Sequence, residues 1–148
     1  MLHRALMMIA LLALAPVCAR AADIPNDLAS LQVTVLNVSP KGGDILMGLY
    51  DRKAYTNNDD DAAVKDVKVP AVPGKTEFTI KDIVPGIYAI KMMQDVNRNG
   101  KFDQSWIGLP LEPYGFSNDA KPFLKAPNFS AVKFTIAPGA NAITIHLQ

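Results

Sequence analysis

Short apolar segments alternate at a period of two, and each is cut off within about ten residues by Gly, Pro, Asn or Asp, so the chain has no long helical period and reads as strands. Leu31, Val33 and Val35 share one face of the first segment. After Gly42-Gly43, Ile45, Met47 and Leu49 share a face of the second, and Thr76, Phe78 and Ile80 form the apolar side of another. Val67 to Val69 is expected as a short edge strand stopped by Pro70 and Pro73. Ile87 to Gln94 is apolar on both faces, with Tyr88, Ile90 and Met92 alternating against Ile87, Ala89 and Met93, which predicts a central strand. Ser130 to Ile136 and Ala142 to Leu147, parted by Pro138-Gly139, complete about seven strands. That number in one small all-β domain predicts a single two-sheet β-sandwich, Ig-like in outline.

Two stretches interrupt the alternation. Asp51 to Asp66 is polar, carries the run Asp59-Asp60-Asp61, and is expected to hold one helical turn through Ala62 and Ala63. The acidic run reads as a solvated loop, because three adjacent side chains diverge and do not meet at one ion. The second stretch, Phe102 to Phe129, is a long aromatic and Pro-rich loop. It contains six of the eleven aromatics, and Pro110, Pro113, Pro122 and Pro127 bar an ordinary central strand. Two readings stand: the rings fold back to plug the end of the sandwich, or they form a binding surface with Trp106, Glu112, Tyr114 and Phe116 as ligand-binding residues.

Between the central strand and that loop lies Asp95-Val96-Asn97-Arg98-Asn99-Gly100-Lys101-Phe102-Asp103. Oxygen-bearing side chains at alternate positions, a glycine for the sharp turn and a further carboxylate follow the order of a twelve-residue calcium loop. Asp95, Asn97, Asn99 and Asp103 would supply side-chain oxygens and Lys101 its backbone carbonyl. The twelfth position, where a bidentate Glu closes the sphere, is Trp106, so a last ligand has to come from elsewhere. Asn99-Gly100 between extended segments is also a hairpin-turn signal that needs no metal. With two formal negative charges, a Ca2+ site here belongs to the weak extracellular class, with dissociation constants of about 0.1 to 1 mM.

His3 and Arg4 precede an apolar run from Ala5 to Ala15, and Ala19-Arg20-Ala21 offers small residues at the positions a signal peptidase reads. Residues 1–21 are therefore expected to be a cleaved signal peptide and 22–148 a single exported domain, periplasmic or secreted. The run is shorter than the ~20 residues that span a bilayer. Cleavage removes Cys18, the only cysteine, and with it any disulfide or thiol nucleophile. It also removes Arg4 and Arg20, leaving thirteen basic residues against fourteen acidic, a formal charge of −1. A surface so near neutrality gives no electrostatic reason to expect nucleic acid or an anionic membrane as a partner. His146 becomes the one histidine, which excludes histidine-rich zinc sites, and its alternation with Ile143, Ile145 and Leu147 turns it to solvent.

The chain resembles the bacterial family known as domain of unknown function 2141. The resemblance runs from about Leu31 to the end and rests on Pro85-Gly86-Ile87-Tyr88-Ala89-Ile90, on Asp95 to Asp103, on Gly108-Leu109-Pro110 and on Tyr114-Gly115-Phe116-Ser117-Asn118. It implies a secreted or periplasmic β-sandwich, similar to transthyretin-like and carboxypeptidase-regulatory modules, without an established activity. This chain departs from the resemblance at Gln94, where relatives carry His, and at Pro113, where they carry Gly.

These readings lead to an exported, non-enzymatic module, braced by a calcium-like ion, that binds a protein or glycan through the ion loop and the aromatic segment. No catalytic residue is assigned. One alternative is a carboxylate-dependent, glycosidase-like hydrolase using Asp103 and Glu112, since paired acids cleave glycosides without histidine. Another is a structural accessory domain of the cell envelope.

Overall fold

The computed structural model describes residues 27–148, so the expected signal peptide lies outside the described residues. Alternation sorts the strands into two sheets. In one, β1 (Ala29–Val38) runs between β4 (Gly74–Ile83) and β8 (Gly139–His146). β1 and β4 are antiparallel, with Leu31 opposite Ile80 and Val33 opposite Phe78, whereas β8 lies parallel to β1, with Val35 opposite Ile145. The other sheet has the order β3 (Lys65–Pro70), β2 (Asp44–Tyr50), β5 (Gly86–Asp95) and β6 (Tyr114–Phe116), and β7 (Phe134–Ile136) also pairs with β5. All these pairs are antiparallel, with Met47 opposite Met92 and Met92 opposite Gly115. This is an all-β two-sheet sandwich.

The inward residues form one core. Leu31, Val33 and Val35 of β1, Ile45 and Leu49 of β2, Ile90 of β5 and Ile145 of β8 are each at most 1 % exposed. Full burial of each such side chain stabilises the fold by roughly 1.5–3 kcal/mol. The outer face of β5 is apolar for a second reason. Helix α1 (Arg52–Asn57) and the single turn α2 (Phe129–Val132) cover it, so that Ala89 packs with Tyr50, Ala54, Tyr55, Phe129 and Val132. Lys91 Nζ lies 5.0 and 5.1 Å from the Tyr50 and Tyr55 ring centroids and binds Asp60 at 2.9 Å. Burial pushes both phenols up to about 12, so they stay neutral packing groups.

Three expectations are corrected. Ser130–Ile136 is a strand only from Phe134 onward. Phe129 and Val132, three residues apart, both bury against α1 and β5, and that spacing suits a helical turn better than a strand. The expected turn at Ala62 and Ala63 is a 3-10 turn over Asp60–Ala62, and the longer helix is α1, capped by Asp51, whose carboxylate accepts from the Ala54 N–H at 2.8 Å. The aromatic segment also contributes an eighth strand. β6 is admitted because Pro113 falls just outside it, and its other edge meets the chain end, where Tyr114 and Gln148 exchange backbone hydrogen bonds at 3.2 and 2.9 Å. That exchange joins the two sheets along one side.

Candidate functional site

The carboxyl end of β5 delivers two buried polar residues, Gln94 and Asp95, both fully shielded from solvent. Gln94 staples the turn between β1 and β2: its Nε2 donates to the carbonyls of Ser39 (2.9 Å) and Gly42 (2.7 Å), and its Oε1 accepts from the Ser39 N–H at 2.8 Å. Its backbone N–H donates to the Pro113 carbonyl at 2.8 Å. The two positions at which the chain departs from the family resemblance are thus in direct contact. The same turn presses Gly43 against the Asp95 carbonyl, an approach that a side chain would block.

Beside it, Asp44 pairs with Lys68 at 3.2 Å and with Arg98 at 3.4 Å. Burial opposes ionisation of Asp44, but the hydrogen bonds and charges of Lys68 and Arg98 outweigh it and hold the carboxyl below its usual range. Arg98 has φ 59°, which for a residue with a side chain is strained by about 1–2 kcal/mol. Its contacts with Asp44 and the Gly43 carbonyl fix the loop to the start of β2.

The loop itself closes around carboxylates. The Asp95 oxygens accept from the N–H groups of Asn99 (3.1 Å) and Gly100 (2.8 Å). Asn97 Oδ1 also accepts from the Asn99 N–H at 3.0 Å, and Asn99 Oδ1 accepts from the Lys101 N–H at 2.8 Å. The two amide nitrogens converge on Asp103, Asn97 Nδ2 at 2.6 Å and Asn99 Nδ2 at 3.0 and 3.1 Å. Gly100, at φ 74°, takes the left-handed turn the spacing demanded. Asp95, Asn97, Asn99 and Asp103 therefore belong to one hydrogen-bonded knot, with Lys101 in the same turn.

Glu112 ties the two ends of this loop together. Its Oε1 accepts from the Val96 N–H at 2.8 Å and its Oε2 from the Asp103 N–H at 3.2 Å, and the side chain is buried. One of the two sequence readings named Glu112 as ligand-binding; in the structure its carboxylate holds both ends of the loop as a clamp. From that base a hairpin projects, held by the Gln104–Pro110 bridge and by the Ser105 N–H donating to the Leu109 carbonyl at 2.8 Å. Its apex is Trp106, which is 96 % exposed. An open cleft lies between the returning arm of this hairpin and the β1–β2 turn, and Glu112, Tyr114, Ser39 and Lys41 are among its lining residues.

The aromatic segment divides between the two readings. Phe129 is in the outer core, while Phe102, Tyr114 and Phe116 form an edge-to-face row with centroids 5.6 and 6.1 Å apart. Trp106 and Phe123 face solvent. Trp106→Ala is consequently expected to change stability by less than about 0.5 kcal/mol, as for a surface substitution, with a solvent-exposed emission in the parent. A chemical melt displaced by several kcal/mol would return the ring to the core. His146, exposed as expected, has its Nδ1 2.8 Å from Asp119, a partner that sequence reading did not supply.

The fold and rim define a two-sheet sandwich with a turn-forming acidic loop and a projecting apolar hairpin. Residues 33–144, from within β1 to within β8, match the family described as "Uncharacterized protein conserved in bacteria (DUF2141)", and the chain belongs to that family. No curated protein and no solved structure matches it.

Proposed function

We propose that this protein is an exported, non-enzymatic recognition module in which Ca2+, held by the Asp95–Asp103 loop, braces a rim that presents Trp106 and Tyr114 to a protein or glycan. The observation that carries the reading is the exposed Trp106 apex on a base clamped by Glu112. Large aromatic rings that remain in water on a rigid support are the usual anchors of recognition. Export rests on the amino-terminal pattern. Among the described residues, no helix is long and apolar enough to cross a membrane.

The donor set suits a hard cation. Asp95 and Asp103 would be joined there by amide and carbonyl oxygens, a donor set of calcium and not of zinc, although among the described residues no group of three or more His, Cys, Asp or Glu side chains is placed to hold a metal ion. Asn97 and Asn99 would turn their amide oxygens inward. The Asn99 N–H has two acceptors, Asp95 Oδ1 and Asn97 Oδ1, and so keeps one when Asn97 rotates. Support for a non-enzymatic role comes from Glu112, both of whose carboxylate oxygens already accept backbone hydrogen bonds within the rim.

Calcium at about 1 mM, with a dissociation constant near 0.1 mM, stabilises by roughly 1.4 kcal/mol, which corresponds to a rise of roughly 3 to 7 °C in melting temperature. Asp95→Ala should erase that rise. Identical melting curves in calcium and in chelator would leave the loop as a turn without an ion.

A further inference from the structure

Asn99 is the one asparagine of the chain that a glycine follows. Glycine puts no side chain between its own nitrogen and the preceding amide carbon, so the two can close into a five-membered imide. Both residues are exposed, and nothing lies within 4 Å of the place a Gly100 Cβ would take. The loop also supplies each group that the closure needs. The Gly100 N–H, the nucleophile, donates to Asp95 Oδ2 at 2.8 Å, within reach of a general base. The Lys101 N–H donates to Asn99 Oδ1 at 2.8 Å, which folds the side chain over the Gly100 peptide and draws electron density from Cγ, the atom attacked. Asn99 Nδ2, the leaving group, lies 3.0 and 3.1 Å from the Asp103 carboxylate oxygens, which can hold the departing nitrogen as ammonium.

We infer that Asn99 is a self-modifying residue, and that loss of its amide changes the loop from one closed by its own hydrogen bonds into one closed by a cation. Gly100 N gives its proton to Asp95 and bonds to Cγ; the Cγ–Nδ2 bond breaks, and the nitrogen leaves with that proton as ammonia. Water then adds to either imide carbonyl and opens the ring to aspartate or its β-linked isomer. The balance is one amide and one water consumed, one carboxylate and one ammonium formed. Neither product keeps Nδ2. In the unreacted loop the amide nitrogens of Asn97 and Asn99 converge on Asp103; after conversion a carboxylate faces that carboxylate, and like charges so close repel unless a cation lies between them. The new carboxylate joins those of Asp95 and Asp103, and added ligand charge tightens a calcium loop. The inference rests on the ion reading for its consequence, whereas the covalent step itself needs no metal.

The exported protein would be kept folded at neutral pH beside a synthetic peptide spanning Val96 to Asp103, and both sampled over weeks by mass mapping, with released ammonia measured. The expected result is a gain of about one dalton at Asn99 alone, matched by equimolar ammonia, at a rate no lower than in the peptide. Gly100→Ala, whose methyl meets no atom within 4 Å, should fold and convert several times more slowly. The converted form, which anion exchange separates by its extra negative charge, should melt below the fresh protein in chelator and show a larger rise with calcium. Asn99→Asp should reproduce both changes. A folded protein that keeps its mass while the peptide converts overturns the inference and leaves the ion reading standing. Converted protein that melts like the fresh form, in chelator and in calcium alike, overturns the switch. Calcium indifference in both forms overturns the switch together with the ion reading.

Discussion

Gly43→Ala is expected to lower the melting temperature by more than about 15 °C, a loss above about 4 kcal/mol in a domain of this size. A Cβ at this position would sit 2.1 Å from the Asp95 carbonyl oxygen, 2.6 Å from Val96 Cα and 2.8 Å from the Asp95 carbonyl carbon. These are backbone atoms at a point where β2 and β5 are paired, Asp44 opposite Asp95, so no side-chain rotation relieves the clash. The residue is also at φ 90°, which disfavours any side chain by about 1–2 kcal/mol. Gly42→Ala is the control. With φ 78° and nothing within 4 Å of its added methyl, it should cost only the dihedral penalty. Thermal melts of the two variants by circular dichroism separate steric contact from backbone strain, and near-equal melts would mean that the turn does not press on Asp95.

Gly42-Gly43 illustrates what the sequence carries and what it does not. The pair announces a turn, and the alternation on either side of it places Ile45, Met47 and Leu49 in the core, where all three are buried. Nothing local says which of the two glycines touches β5, because that contact depends on strand order. The same holds for β8, whose inward Ile145 was legible but whose parallel pairing with β1 was not. Alternation reports which face is buried and is silent about the neighbour. The short helices were misplaced for a related reason: six residues of α1 and four of α2 are too few to display a period.

At the rim, the spacing of Asp95, Asn97, Asn99, Gly100 and Asp103 was enough to foresee a closed acidic loop, since those contacts are nearly all local. Gln94 and Glu112 were less legible because their partners lie far along the chain, at Ser39 and Gly42 for the first and at Val96 and Asp103 for the second. A signal for Glu112 did exist. It is the only charged residue between Asp103 and Asp119, and a lone acid in an apolar, Pro-rich stretch is buried in a fold only where donors have been brought to it.

Glu112→Ala is accordingly expected to cost roughly 3 kcal/mol, lowering the melting temperature by roughly 10 to 15 °C. Two N–H groups lose a charged acceptor; water can reach part of the rim, which keeps the cost below that of two fully buried losses. Glu112→Gln separates clamp from catalyst. Its amide keeps one acceptor but turns an NH2 group toward either the Val96 or the Asp103 N–H, so one of the two contacts becomes donor against donor. A clamp therefore predicts that Glu112→Gln is destabilised by about half as much as the alanine variant. It also predicts a weakened calcium-dependent melting shift, because the two ends of the Asp95–Asp103 loop are no longer held at a fixed separation. A hydrolytic acid predicts the opposite pattern, with wild-type stability in Glu112→Gln and loss of glycoside cleavage. Melting curves of the two variants with and without calcium, beside an assay on aryl glycosides, decide between the roles, since the first pattern ties Glu112 to the loop through its geometry and the second frees it for chemistry.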